Sequence, residues 1–184
     1  MLGTQHRQFG NIVGHAKGVD NIQSLVEWTR EQFDPTLSWQ DIEWIRKRWS
    51  GRLIIKGIQH PEDARLAVSC GADAVVVSNH GGRQLDGASS SITTLPEIVD
   101  AVGGQTEVHF DSGIRCGQDV LKAIALGAKG TYIGRAMLYG LGALGEQGVS
   151  KALHIIREEL DLSMAFCGQT NIQGITPDIL RMKS

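Results

Sequence analysis

The sequence predicts an α/β protein in which helices cover a parallel sheet, and three observations carry that reading. From Leu53 onward, short apolar runs alternate with helical patterns that close on glycine. The apolar runs are continuous rather than alternating, as in strands covered on their faces. Lys56, Ser78, Asp111 and Gly134 each stand where such a run ends. That is the edge at which barrels and doubly wound sheets both gather functional side chains.

The elements follow in order. The opening MLGTQHRQFGNIVGHAKG has no clear periodicity and reads as loop. SLVEWTREQF reads as a helix that Asp34-Pro35 breaks. SWQDIEWIRKRW resumes it, with Ser38 and Asp41 as an N-terminal cap and Ile42, Ile45 and Trp49 on one face. Next come a strand at LIIK (Leu53–Lys56) and a helix in HPEDARLAVSCG. Pro61 suits that helix's first turn, Glu62 and Asp63 complement its dipole, and Gly71 closes it. AVVVS (Ala74–Ser78) is the second strand, followed by a Gly/Ser-rich loop and a helix in TLPEIVDAVGG. EVHF (Glu107–Phe110) is the third, followed by DSGIRCG and a helix in DVLKAIALG that ends at Gly127. TYIG (Thr131–Gly134) is the fourth; it leads through RAMLYGLGALGE into a long helix near Gly148–Cys167.

Composition narrows the function classes. A chain of 184 residues suits one domain with a real core. Its formal charge of -2 gives no electrostatic case for nucleic acid or an anionic membrane surface. No run reaches the roughly 18 apolar residues of a membrane span, and no signal-peptide pattern is expected. Three cysteines, Cys70, Cys116 and Cys167, fit a reduced cytoplasm better than a disulfide frame. The six histidines show no metal-ligand spacing, so no metal site is expected.

Two loops read as a phosphate cradle: DSGIR (Asp111–Arg115) and IGR (Ile133–Arg135). Glycine allows close backbone approach, helix N-termini offer N–H groups, and each loop supplies one arginine fork. GLGALG (Gly140–Gly145) matches a dinucleotide fingerprint by letter but follows no strand directly, and reads as a loop between helices. HGG (His80–Gly82) lacks the G-x-S-x-G partner that acyl transfer needs. His6, His15, His60 and His154 read as surface or satisfied core residues, and His109, inside a strand, as structural. His80 differs, because it leaves a strand end beside Asn79 and Gly81 with Arg83 in reach. A base and a carboxylate-binding fork there could serve one substrate. Lys56 needs a partner where its strand ends, whether a ligand anion, an electron-rich ring or a carboxylate of the protein.

Together, Lys56, SNHGGRQLDG, DSGIR and IGR resemble the FMN-dependent 2-hydroxy-acid dehydrogenase and oxidase family. The 24-residue spacing from Lys56 to His80 agrees with it. FDPTLSW, DSGIR, GRA and LYGL are nearest to the bacterial flavin L-lactate dehydrogenase branch. The resemblance implies the C-terminal half of a TIM (β/α)8 barrel, strands five to eight, with residues 1–52 as a loop and helical lead-in and 53–184 as half-barrel and C-terminal helix. It implies FMN as cofactor and a small L-2-hydroxy acid such as L-lactate as substrate. His80 would be the base and Arg83 the carboxylate clamp. Lys56 would sit at the flavin pyrimidine edge and Ser78 against the flavin. Asp111, Ser112, Gly113, Ile114, Arg115, Gly134 and Arg135 would hold the ribityl chain and phosphate. His80 would take the hydroxyl proton while the α-hydrogen leaves toward the flavin as hydride; a carbanion route uses the same residue.

Ser112 and Cys116 depart from the common DGGIR-plus-basic pattern, and Cys116 would weaken the phosphate grip. Gly82, alanine in several oxidases, leans toward a dehydrogenase. A quinone, a cytochrome or oxygen would be the electron acceptor. A homo-oligomer and a cytoplasmic or peripheral inner-membrane location are implied as well. A half-barrel has two open edges, so a non-catalytic remnant or a self-associating module is the alternative reading.

Overall fold

The computed structural model describes residues 12, 15–19 and 22–181. Most of the predicted opening loop lies outside the described residues, although His15 and Ala16 donate back to the Ile12 carbonyl in a turn. The chain divides into two units, Met1–Ser38 and Trp39–Ser184. The first carries α1 (Ile22–Glu31). Past its end, Asp34 Oδ1 accepts from both the amide and the hydroxyl of Thr36, a side-chain-closed turn that stops helical pairing.

The second unit opens with α2 (Trp39–Arg48), whose Trp39 packs against the main core. Arg46 fastens the helix to the sheet through Asp73 (3.2 Å) and the Gly51 carbonyl (2.9 Å). Four strands follow: β1 (Ile54–Ile58), β2 (Ala74–Val77), β3 (Glu107–Phe110) and β4 (Gly130–Thr131). They pair in parallel in the order β1-β2-β3-β4. The intervening helices are α3 (Pro61–Ser69), α4 (Ser91–Val102) and α5 (Gly117–Ala125), and α6 (Arg135–Phe166) follows β4. The expected strand–helix alternation is present in full.

Side chains divide between the two sheet faces. Val75, Val77, Val108 and Phe110 join Leu95, Ile98 and Val102 in one core under the helices. Alternation turns Lys56, Val76 and His109, which stand abreast by register, to the opposite face. A second cluster of Leu121, Ala125, Met164 and Ile175 joins α5, α6 and the C-terminal segment.

Pro61 stands in the first turn of α3, His60 Nδ1 caps it, and Gly71 follows it at φ +82°. Several boundaries differ from the reading of the sequence. β1 runs on to Ile58, so Lys56 stands in its middle rather than at its end. α4 starts at Ser91 rather than at Thr94, because the buried Ser91 hydroxyl anchors that turn to the Asp111 carbonyl (2.9 Å). β4 is only two residues long, although Tyr132 N still donates to the Phe110 carbonyl beyond its end. Gly140–Gly145 is not a simple interhelical loop. The chain stays helical until a kink at Leu144 and Gly145, and Gly140 and Gly148 then meet backbone to backbone. A Cβ on Gly148 would lie 1.9 Å from the Gly140 carbonyl oxygen.

Candidate functional site

The carboxyl ends of the four strands open on a cleft of about 190 Å³. Its lining brings together Lys56, His80, Arg83, Asp111, Ser112, Gly113, Ile114, Arg115, Gly134 and Arg135. These are ten of the eleven residues the sequence singled out. Ser78 is the other: it is buried and lies beneath the lining, held by its neighbours.

The floor is a polar chain. Lys56 Nζ pairs with Asp111 Oδ2 at 3.0 Å and donates to Ser78 Oγ at 3.2 Å. A carboxylate of the protein is thus one partner of Lys56. Burial pushes the Asp111 carboxyl up, but hydrogen bonds from Ser78, Ser112 and Lys56, with the lysine charge, outweigh it. The net pKa lies below the ordinary aspartate value. Ser112 Oγ donates to Asp111 Oδ1 at 2.8 Å.

The loop that carries His80 has an unusual backbone. His80, Gly81 and Gly82 are all left-handed, with φ of +55°, +69° and +72°. Valines stop at Val77, Ser78 Oγ accepts from the His80 amide at 3.0 Å, and the chain turns sharply. Glycine tolerates this conformation and histidine does so at a cost. Among the described residues, no hydrogen bond or ion pair engages the His80 ring or the Arg83 guanidinium, and both line the cleft.

The phosphate-cradle reading needs one refinement. The start of α5 is already satisfied by carboxylates: Asp119 Oδ2 accepts from the amides of Arg115 (2.9 Å) and Cys116 (3.2 Å), and Glu159 Oε2 from that of Gly117 (2.9 Å). The helix N-terminus at the cleft is that of α6, beginning at Arg135. Gly113 and Gly134 leave open space where a Cβ would stand. Two arginine forks, a helix N-terminus and two open glycines suit a phosphate dianion. The residues present thus fit a phosphate-bearing cofactor. Arg135 also reaches across the cleft, where Nη2 donates to the Gly81 carbonyl at 3.1 Å.

Sequence reasoning missed Gly81, Tyr132 and Leu138 as lining residues. Tyr132 was legible by alternation, since it precedes Gly134 by two on a strand end. Its hydroxyl is 2.8 Å from His109 Nδ1, and His109 Nε2 is 3.0 Å from Glu107 Oε2. That network gives His109 the structural setting expected of it. Among the described residues no group of acidic, histidine or cysteine side chains could hold a metal.

Comparison with known proteins bears on the family and the fold. The family model described as FMN-dependent dehydrogenase matches residues 3–182. An L-lactate dehydrogenase of Pseudomonas syringae pv. syringae is 49% identical over 180 residues, 98% of this chain and 47% of that protein. One from Pseudomonas aeruginosa is 48% identical, with the same coverage. The structure of the monotopic membrane protein (S)-mandelate dehydrogenase superposes with a TM-score of 0.84 at 38% identity, over 91% of this chain and 44% of that one. A mandelate oxidase variant carrying a monooxide FMN adduct superposes at 0.72 with 46% identity, over 74% of this chain and 43% of that one. The chain spans about half the length of the curated relatives it matches. Its four β/α units correspond to half of a TIM barrel. The chain belongs to the FMN-dependent dehydrogenase family.

Proposed function

We propose that this chain is the C-terminal half-barrel of an FMN-dependent dehydrogenase that oxidises an L-2-hydroxy acid, L-lactate first among them, to the 2-oxo acid. One observation carries the reading. A histidine ring and an arginine fork, neither engaged among the described residues, share one loop and face a cleft whose far wall fits a phosphate. FMN would be held by Arg115, Arg135, Gly113, Gly134 and the start of α6 at its phosphate. Lys56, backed by Asp111 and Ser78, would hold its ring edge, with Ser112 and Ile114 between. When bound, FMN supplies a two-electron acceptor for the substrate's α-hydrogen. Arg83 binds the substrate carboxylate through both ends of its fork, which orients the hydroxyl toward His80. A ring nitrogen of His80 takes the hydroxyl proton, and the carbon-bound oxygen becomes a carbonyl. The overall loss is one proton to His80 and one hydrogen with its electron pair to the cofactor.

The test uses the chain with FMN, alone and with the first half of the Pseudomonas syringae relative supplied in trans. Retained flavin absorbance after desalting, bleached anaerobically by L-lactate, is the expected result. His80→Ala should keep the flavin and abolish bleaching. Flavin lost on desalting in both arrangements, or bleaching that survives His80→Ala, overturns the reading.

A second reading is favoured by the sheet edges. Among the described residues β1 and β4 each pair on one side only, and open edges invite pairing. In that case the chain is a half-barrel module that associates with itself or with a companion half and does no chemistry alone. No helix among the described residues is long and apolar enough to cross a membrane. We place the chain in the cytoplasm or peripherally on the inner membrane face, and fractionation of cells against a lysate control tests this.

A further inference from the structure

Ser112 stands at φ +79°, a backbone conformation that favours glycine and disfavours serine. A serine there needs a reason, and its hydroxyl supplies one. Ser112 Oγ accepts from the Gly81 amide at 3.0 Å, donates to Asp111 Oδ1 at 2.8 Å and lies 3.4 Å from Ser78 Oγ. Its own carbonyl is held by the buried Ser91 hydroxyl at 3.3 Å. Asn79 Oδ1 also accepts from the Gly81 amide at 3.0 Å, but Asn79 belongs to the same loop and travels with it. Among the described residues, only the Ser112 bond ties that amide to the framework following β3. The Gly81 carbonyl is held separately by Arg135.

We propose that Ser112 is a positioning residue for His80, pinning the left-handed His80–Gly82 turn to the Asp111–Lys56 pair through its hydroxyl. This rests on the reading of His80 as the base. The hydroxyl fixes where the residue after the base lies, and hence where the imidazole points. A glycine at position 112 would relieve the backbone but leave the Gly81 amide held from within its own loop alone. Polar side chains that lock a reacting group from behind act in this way, because small misplacements cost rate steeply.

Two variants separate the hydroxyl from the backbone. Ser112→Ala keeps the left-handed strain and loses the hydroxyl, whereas Ser112→Gly loses both and relaxes the backbone. Amide and histidine-ring NMR spectra of the FMN-free chain supply the readout, with His80→Gln assigning the ring signal. In both variants the His80 Cε1–Hε1 resonance and the Gly81 amide should move, and the Gly81 amide should exchange on the order of five-fold faster. The ring signals of His60 and His154, both exposed and outside the lining of the cleft, should stay in place. The thermal midpoints should differ, with Ser112→Gly above Ser112→Ala, so the shared His80 response cannot follow stability. An unmoved His80 resonance in Ser112→Gly overturns the proposal, as does a response in Ser112→Ala alone. Because no turnover is measured, failure of the flavin chemistry would be seen separately.

Discussion

Asp111 shows how one side chain can serve both stability and site. Its folded pKa is lowered, so its contribution to stability is fully present above the ordinary value near 3.8 and is lost as pH falls through the lower folded value. Asp111→Asn should therefore lower the urea midpoint at pH 7. The gap to wild type should close only as pH drops below 3.8, and a gap independent of pH would contradict the ion-pair account. The size is modest, because Lys56 is 44% exposed and solvent screens the pair. Arg83 makes a prediction of a different kind. Arg83→Lys keeps the charge but loses the fork, so the L-lactate concentration for half-maximal flavin bleaching should rise by about ten-fold or more. An unchanged requirement would remove the clamp. His80 and Ser112 both hold left-handed backbones, costing about 1–2 kcal/mol each. Such strain at the mouth of a cleft is what a tightly posed side chain requires.

Among the elements, α5 and α6 are joined by an approach only glycine permits. A Cβ on Gly117 would lie 2.0 Å from the Leu160 amide nitrogen and 2.4 Å from the Glu159 carbonyl carbon. Gly117→Ala must push α6 away, and with it the Glu159 carboxylate that accepts from the Gly117 amide. A cost of about 1–3 kcal/mol follows from such overpacking, read as a fall in thermal midpoint; an unchanged midpoint would mean the helices yield freely. The buried Ser91 acts between elements too, tying the start of α4 to the loop after β3. Ser91→Ala leaves two carbonyls without that donor and should cost about 1–2 kcal/mol. The kink at Leu144 and Gly145 lets α6 fold back on itself, with Gly140 and Gly148 as the contact.

At the scale of the whole molecule, the four-stranded sheet buries one face well and leaves its other face and edges less covered. Ile54 and Tyr132 are 47% and 42% exposed. A companion half that covers them would stabilise the fold by mass action. Adding the first half of the Pseudomonas syringae relative at saturating concentration should raise the thermal midpoint by several degrees. No rise, with sedimentation showing two separate species, would argue that the uncovered face is not a docking surface for that half.

Much of this architecture was legible in the residues themselves. Continuous valines at 75–77 and the Val108–Phe110 run demanded covered strands, and Pro61, Gly71 and Gly127 marked helix ends, because these signals act within a few residues. SNHGGRQLDG, DSGIR and IGR carried the resemblance to the family for the same reason: each is a short contiguous segment. Tertiary structure decided what depends on partners far along the chain. It chose Asp111 as the partner of Lys56, used Asp119 and Glu159 to occupy the α5 amides and left α6 at the cleft, and drew α4 back to Ser91. It also turned Ser112, which reads as a departure from the DGGIR pattern, into a link between two loops. Those outcomes are set by which groups meet when strands about 20 to 33 residues apart come abreast, and no local pattern carries that information.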